Sequence, residues 1–134
     1  MGAFLSVDDT RGLIYIHYEG VVTDEVLLQR DQQVLEWNAS HGYHASITDF
    51  SEIAGLNISA SAIRKLAERP PLSNSELPRV AVIVASDDFV FGMSRMFEMM
   101  GVGRSDRIHV VRTLEEAYAQ LGVDSLELRA EVEW

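Results

Sequence analysis

The sequence predicts an α/β protein built on a mixed, mostly parallel sheet with an N-terminal hairpin and four helices. Three observations lead to this prediction. Strand-like segments alternate with amphipathic helical segments, which is typical of parallel strands joined by helical crossovers. Residues 79–86 (RVAVIVAS) are apolar almost throughout, as expected of a central strand buried on both faces. The first two strand-like segments are separated only by a short turn, so they form a hairpin that makes the sheet mixed.

Each strand is predicted from a short apolar or β-branched run bounded by turn-forming residues. The predicted strands are residues 4–7, 13–19, 45–50, 79–86 and 108–111. A last candidate lies at the end of the chain, where apolar residues at even positions from Leu126 to Trp134 alternate with charged ones. This alternation is typical of a half-buried strand. Residues 124–134 are therefore an extra edge strand, a strand lent to a second subunit in a homodimer, or a frayed acidic tail.

Helix boundaries are predicted from capping residues. Thr23, Ser59, Asp87 or Asp88, and Thr113 can each accept backbone N–H groups at a helix start. Thr113 also opens a capping box, and the second helix covers about residues 59–69. Gly101 and Gly122 are predicted to end the third and fourth helices.

Length and composition limit the classes of protein to consider. We expect the 134 residues to form a single domain, with the proline-containing residues 70–78 as a surface connection. The chain has no cysteine, which excludes thiol catalysis and disulfides. A net charge of −10 argues against nucleic acid as a partner. Because neither a signal peptide nor a transmembrane segment is recognisable, we expect a cytoplasmic protein.

Carboxylates lie at the ends of two predicted central strands, where open α/β sheets usually bind ligands. They are Asp49, with Ser51 beside it, and Asp87 and Asp88. Two carboxylates could perform acid–base chemistry, but no histidine or nucleophile is evidently paired with them. The favoured interpretation is helix capping and loop hydrogen bonding, with a hydrolase as a weaker alternative.

Two further patterns are interpreted as structural. The pair Asp8-Asp9 resembles the acidic pair of phosphate-receiver domains, but a strand follows it and the last strand has no lysine, so a solvated turn is favoured. His41 and His44 have a spacing that could serve a metal, yet metal sites need three or four converging ligands. We therefore expect no metal site, no cofactor and no catalytic residue.

The third helix carries four of the five methionines and three phenylalanines. Its apolar arc is wider than the stripe that a packed surface helix needs. The helical spacing assigns five of these residues to the core: Phe89, Met93, Met96, Phe97 and Met100. Phe91 and Met99 are left over, and we expect them to face a partner, a ligand or a bilayer surface.

The order of elements and three short motifs resemble the STAS domain, the fold of anti-sigma factor antagonists. Residues 47–53 (ITDFSEI) look like the family's strand that ends in a D-L-S-x-V pattern. Residues 59–66 occupy the place of its D-S-S-G loop and helix, and residues 110–121 are similar to its closing strand and S-x-E-E-A-L helix. The likeness covers about residues 5–122 and suits a divergent, SpoIIAA-like branch.

One departure from the family concerns the phosphorylated serine. Typical members have Asp followed by the acceptor Ser, whereas this chain has Asn57 and Ile58. Ser59 and Ser61 follow closely, but a helix N-cap is the favoured role for Ser59. The resemblance therefore implies the fold more than the phosphorylation switch.

The resulting functional prediction is a non-enzymatic regulatory binding module with a protein partner. The alternative is a carrier or sensor of an apolar ligand such as a lipid, with peripheral membrane contact, because some SpoIIAA-like proteins resemble lipid-binding Sec14-type folds. A cavity beside the third helix would favour the carrier, and a flat exposed patch would favour the module. The predicted contact residues are Asp49, Ser51, Asn57, Ser59, Ser61, Asp87, Phe91, Met93, Met96 and Met99.

Overall fold

The computed structural model of the chain describes residues 2–68, 79–100 and 106–134. The strands in these residues are β1 (Ala3–Asp8), β2 (Leu13–Thr23), β3 (Ala45–Asn57), β4 (Arg79–Val84), β5 (Asp106–Val111) and β6 (Arg129–Glu133). The helices are α1 (Asp24–Ala39), α2 (Ala60–Glu68), α3 (Asp88–Met100) and α4 (Leu114–Leu121).

The six described strands form one mixed sheet in the order β5-β4-β3-β2-β1-β6. β2, β3, β4 and β5 run parallel to one another, whereas β1 pairs antiparallel with both β2 and β6. With the four helices, this confirms the predicted fold class, including the opening hairpin and the central position of β4.

The sheet buries a separate apolar cluster on each face. On one face, Ile16 of β2 packs with Val34 of α1 and Val90 of α3, and Leu66 of α2 adds to this cluster. We call this the three-helix face. On the opposite face, Ile47 of β3 and neighbouring strand residues pack against Ala117 of α4, and we call this the α4 face. No helix of the described residues is long and apolar enough to cross a membrane.

The predicted helix caps are present where the structure describes them. Thr23 Oγ1 accepts from Val26 N at 3.3 Å, and Thr113 Oγ1 accepts from Glu116 N at 3.1 Å. Asp87, and not Asp88, caps α3. Gly122 ends α4 with a φ of 70°, a conformation that glycine adopts without strain. Gly101 and the connection at residues 70–78 lie outside the described residues.

β3 is longer than the sequence predicts. The loop expected after Phe50 is strand instead, because Glu52–Asn57 continues the parallel pairing with the second half of β2. Asn57 is therefore a strand residue, and α2 begins at Ala60, after Ser59. Tertiary pairing overrides the weak local β-propensity of this segment.

The alternating end of the chain forms the edge strand β6. Leu5 pairs with Val132, and Trp134 N donates to Ala3 O at 2.8 Å. A register shift between Leu5 and Ser6 interrupts the alternation, so Val132 and Trp134 pack against the core while Leu128 stays 43% exposed.

Asp8 is not part of a solvated turn, which corrects that expectation. Its side chain is fully buried and accepts from Glu127 N at 2.9 Å, from Arg11 N at 3.0 Å and from the Arg11 guanidinium at 2.9 Å. Burial opposes the charge of Asp8, but these hydrogen bonds outweigh it and hold the pKa of the carboxyl below its usual value. Asp8 thus joins the hairpin to the segment that leads into β6.

Candidate functional site

An apolar cavity of about 140 Å³ lies on the three-helix face, between the sheet and helices α1, α2 and α3. Val34 of α1, Ile63 of α2, and Met93 and Phe97 of α3 line its helical side. Apolar residues of the four parallel strands line the opposite side. An apolar cavity of about 150 Å³ in another protein holds one benzene molecule, so this one fits an apolar group of that size.

Small side chains at the centre of the sheet make room for this cavity. Ser46 of β3 pairs with Ala81 of β4, and both face the cavity. Thr48 follows on the same face of β3, next to Ile16 of β2 and Ile83 of β4. Since small residues meet at the middle of a face whose neighbours are large, the helices rest on the larger side chains and a space remains between them.

A few polar groups are set into this apolar wall. Hydroxyl-bearing residues of the lining are Ser46, Thr48, Ser94 and Tyr18, and Asp31 is the acidic residue among them. Burial raises the pKa of Tyr18 well above its usual value, and the negative charge of Asp31 raises it further. Tyr18 therefore keeps its proton at neutral pH. The cavity combines apolar walls with a small number of hydrogen-bonding groups, which is typical of small-molecule sites.

The orientation of α3 differs from the prediction. Val90 and Ser94 are buried, whereas Phe89, Met96 and Met100, which were assigned to the core, are 57%, 37% and 40% exposed. The apolar arc of this helix is wide enough to permit more than one orientation, so its packing against α2 and β5 decides which part is buried. Met93 and Phe97 face the cavity, and Met99 is 67% exposed, as expected.

The sequence predicts that Phe91 lies on an exposed side of α3, and this prediction is wrong. Its ring is partly buried and packs against the core of the three-helix face. The Arg112 guanidinium lies 3.9 Å from the ring centroid and also pairs with Asp88 at 2.7 Å. Arg112 therefore covers the outer side of Phe91 by a cation–π contact, a partner that helical spacing alone could not reveal.

Asp49 lies on the opposite, α4 face of the sheet, in register with Val84 of the cluster there. Its buried carboxylate accepts hydrogen bonds from Tyr15 Oη and from Ser51 N, the latter at 2.9 Å. Burial opposes its charge, but these bonds outweigh that effect and hold the pKa of Asp49 below its usual value. Burial and the Asp49 carboxylate together raise the pKa of Tyr15. Both the side chain and the backbone of Ser51 donate hydrogen bonds that lower the pKa of Asp49, although Ser51 is an exposed residue.

The sequence gives no sign that a histidine is paired with Asp49, but the structure places one there. His17 Nδ1 lies 3.4 Å from Asp49 Oδ2. The other ring nitrogen, Nε2, lies 3.5 Å from Glu19 Oε1 and 3.2 Å from Glu52 Oε2. Glu19 and Glu52 were missed because their convergence depends on the register between β2 and β3. Within the described residues, these two glutamates and His17 are the group whose ligand atoms are close enough to hold a metal.

Ser59 caps α2, as favoured from the sequence. Its Oγ accepts from Ala62 N at 3.2 Å and donates to Asp24 Oδ2 at 2.7 Å, while its backbone N donates to Asp24 Oδ1. These bonds lower the pKa of Asp24. Ser59 therefore links the starts of α1 and α2.

The predicted contact residues do not form one site. Asn57 lies eight positions beyond Asp49 along β3, about 26 Å in an extended strand, and its side chain is exposed like that of Ser61. Asp87 caps α3 on another part of the surface. Met93 alone among them lines the cavity.

His41 and His44 are separated in their contacts. The His41 ring stacks on Trp37 with centroids 3.7 Å apart, and its Nδ1 lies 2.6 Å from Trp37 O. His44 Nδ1 is buried and has no hydrogen-bond partner among the described residues. The surface role favoured for this pair fits His41 but not His44.

We expect no stoichiometric phosphorylation of Ser59. Its hydroxyl is occupied by Asp24, and a phosphate at that position would be repelled by the same carboxylate. The measurement is phosphosite mapping after incubation with cell extract and ATP, with the exposed Ser61 as an internal comparison. A stoichiometric phosphate on Ser59 would contradict this expectation and restore the antagonist switch.

Comparisons with known proteins leave the resemblance to STAS domains without independent support. No family model, no curated protein and no solved structure matches this chain.

Proposed function

We propose that the protein binds a small apolar ligand in the cavity of the three-helix face and acts as its carrier or sensor. The observation that carries this proposal is the cavity itself, about 140 Å³ between the sheet and three helices. Large apolar side chains form most of its lining, and the small residues Ser46 and Ala81, opposite each other on neighbouring strands, leave the space. The proposal involves binding and no catalytic step.

The position that distinguishes this chain from typical STAS domains supports the same function. Ile58 stands where the resemblance places the phosphorylated serine, and its side chain lines the cavity. An isoleucine cannot accept a phosphate but contributes apolar surface to a ligand site. The chain thus has an apolar residue of the cavity lining at the position where typical STAS domains have the phosphorylated serine.

The charge and polar groups of the lining indicate a neutral ligand. Asp31 would repel an anionic head group, whereas the Tyr18 hydroxyl and the serine hydroxyls can each bond one neutral donor or acceptor. We therefore propose a small aromatic or branched aliphatic compound with at most one hydroxyl or N–H group. p-Cresol, toluene and 4-methylbenzoate form a probe series with the same ring and different polar groups.

Isothermal titration tests the proposal. We expect p-cresol to bind with a Kd of about 1 mM or tighter, toluene comparably, and 4-methylbenzoate at least about tenfold more weakly. Ala81→Leu fills the cavity and should weaken p-cresol binding at least tenfold. The control is Ala119→Leu on the exposed side of α4, where affinity should not change. Equal affinity in Ala81→Leu and the wild type would contradict the proposal.

A second function, regulatory binding of a protein partner, is favoured by the exposed part of α3. Phe89, Met96, Met99 and Met100 form an apolar surface on one side of this helix. Methionine suits adaptable contact surfaces, and a net charge of −10 favours a protein over an anionic membrane. A photo-crosslinking residue at Met99 should capture one defined protein that the same residue at Glu36 does not. Identical crosslinking patterns at the two positions would contradict this second proposal.

A further inference from the structure

A β-bulge brings Glu52 onto the same face as His17. In the pairing of β2 with β3, His17 lies opposite Asp49 and Glu19 lies opposite Glu52. Between these two pairs β2 has one residue and β3 has two. In a regular ladder, Ser51 would occupy the position opposite Glu19. The extra residue places a second carboxylate beside the imidazole instead, and bulges commonly re-aim side chains in this way.

Asp49 determines which nitrogen of His17 faces the two glutamates. The Asp49 carboxylate accepts hydrogen bonds from Ser51 N and the Tyr15 hydroxyl, and its Oδ2 faces Nδ1 of His17 at 3.4 Å. A carboxylate oxygen accepts, so this contact is a hydrogen bond when Nδ1 carries the ring proton. Nε2 is turned toward Glu19 and Glu52. Metal-binding histidines are usually held in this way, with one nitrogen bonded to a carboxylate and the other directed at the metal.

The spacing of the three ligand atoms fits a first-row divalent metal. Nε2 lies 3.5 Å from Glu19 Oε1 and 3.2 Å from Glu52 Oε2, and all three atoms lie within 4.8 Å of one another. Ligand atoms around a tetrahedral zinc are about 3.3 Å apart, given bonds of about 2.0–2.1 Å. The two glutamate side chains are 49% and 66% exposed, so they can adjust around an ion that reaches them from solvent.

We propose that His17, Glu19 and Glu52 form a binding site for Zn²⁺ or a similar divalent transition metal, with water completing the coordination. A cation would also offset the repulsion between two carboxylates that lie directly opposite on neighbouring strands. One imidazole and two carboxylates suit zinc, whereas Mg²⁺ prefers oxygen ligands alone. The site lies on the α4 face, so it is independent of the ligand cavity on the three-helix face.

Isothermal titration of the chelator-treated full chain with ZnCl₂ tests this site. We expect one equivalent of Zn²⁺ to bind, and MgCl₂ to bind at least tenfold more weakly. Glu52→Gln should weaken zinc binding at least tenfold, and this exposed residue can be replaced without disturbing Asp49. The control is Glu36→Gln, an exposed glutamate of α1, which should bind zinc like the wild type.

Two outcomes would overturn the proposal. If the wild type binds no zinc, His17, Glu19 and Glu52 interact only with one another and have no metal role. If Glu52→Gln binds zinc as tightly as the wild type, the ion binds elsewhere, for example at His41.

Discussion

Replacement of Phe97 by alanine is expected to lower the free energy of unfolding by about 3–5 kcal/mol. The ring packs against the core of the three-helix face and forms part of the cavity wall, so its removal both exposes apolar surface and enlarges the cavity. Urea denaturation measures the change.

Met99 and Phe91 provide the matched comparisons on the same helix. Met99→Ala should change stability by less than about 0.5 kcal/mol, because its side chain is 67% exposed. Phe91→Ala should cost about 1–3 kcal/mol, because its partly buried ring also loses the Arg112 contact. Equal losses in Met99→Ala and Phe97→Ala would show that the described orientation of α3 is wrong.

Replacement of Asp49 by alanine is expected to cost about 2–4 kcal/mol, because the donors around this buried carboxylate are left without an acceptor. Ser51 N and the Tyr15 hydroxyl both lose their partner, and His17 loses the carboxylate beside Nδ1. Asp49→Asn keeps a neutral acceptor at the same place and should cost less. Urea denaturation at neutral pH compares the two variants.

The cost of Asp49→Asn should also depend on pH. The pKa of Asp49 is lowered in the folded state, so its charge contributes stability above the ordinary value of 3.8, and this contribution is lost as the pH falls below it. The stability difference between wild type and Asp49→Asn should be constant above about pH 5 and shrink toward pH 3. Other carboxylates with lowered pKa values are present in both proteins, so their contributions to the pH dependence cancel in this difference. A difference that stays constant down to pH 3 would contradict the ionised, hydrogen-bonded state of Asp49.

The fold class could be predicted because it depends on local patterns. Each of these patterns involves only residues that are close in sequence. Examples are the apolar run of β4, the capping of α1 by Thr23 and the glycine that ends α4. The second half of β3 could not be predicted, because the segment from Glu52 to Asn57, with Ala54 and Gly55 at its middle, forms a strand only through pairing with β2.

The site residues could be predicted only in part, because side-chain convergence depends on register. Asp49 was singled out from its place near the end of a predicted strand, although β3 continues to Asn57, and the bulge that brings Glu52 to His17 leaves no local signal. The cavity likewise arises from Ser46 and Ala81 meeting across two strands. The prediction for Phe91 was wrong because its partner, Arg112, is distant in sequence and follows directly after β5.

Ligand binding in the cavity can be located directly by methyl NMR with isoleucine labelling. Ile16, Ile63 and Ile83 are among the isoleucines that line the cavity, whereas Ile47 is buried in the cluster of the α4 face. Titration with p-cresol should shift the methyl signals of the lining residues along one saturating curve and leave that of Ile47 unchanged. If the lining signals do not move at saturating p-cresol, or if Ile47 moves with them, the cavity is not the ligand site.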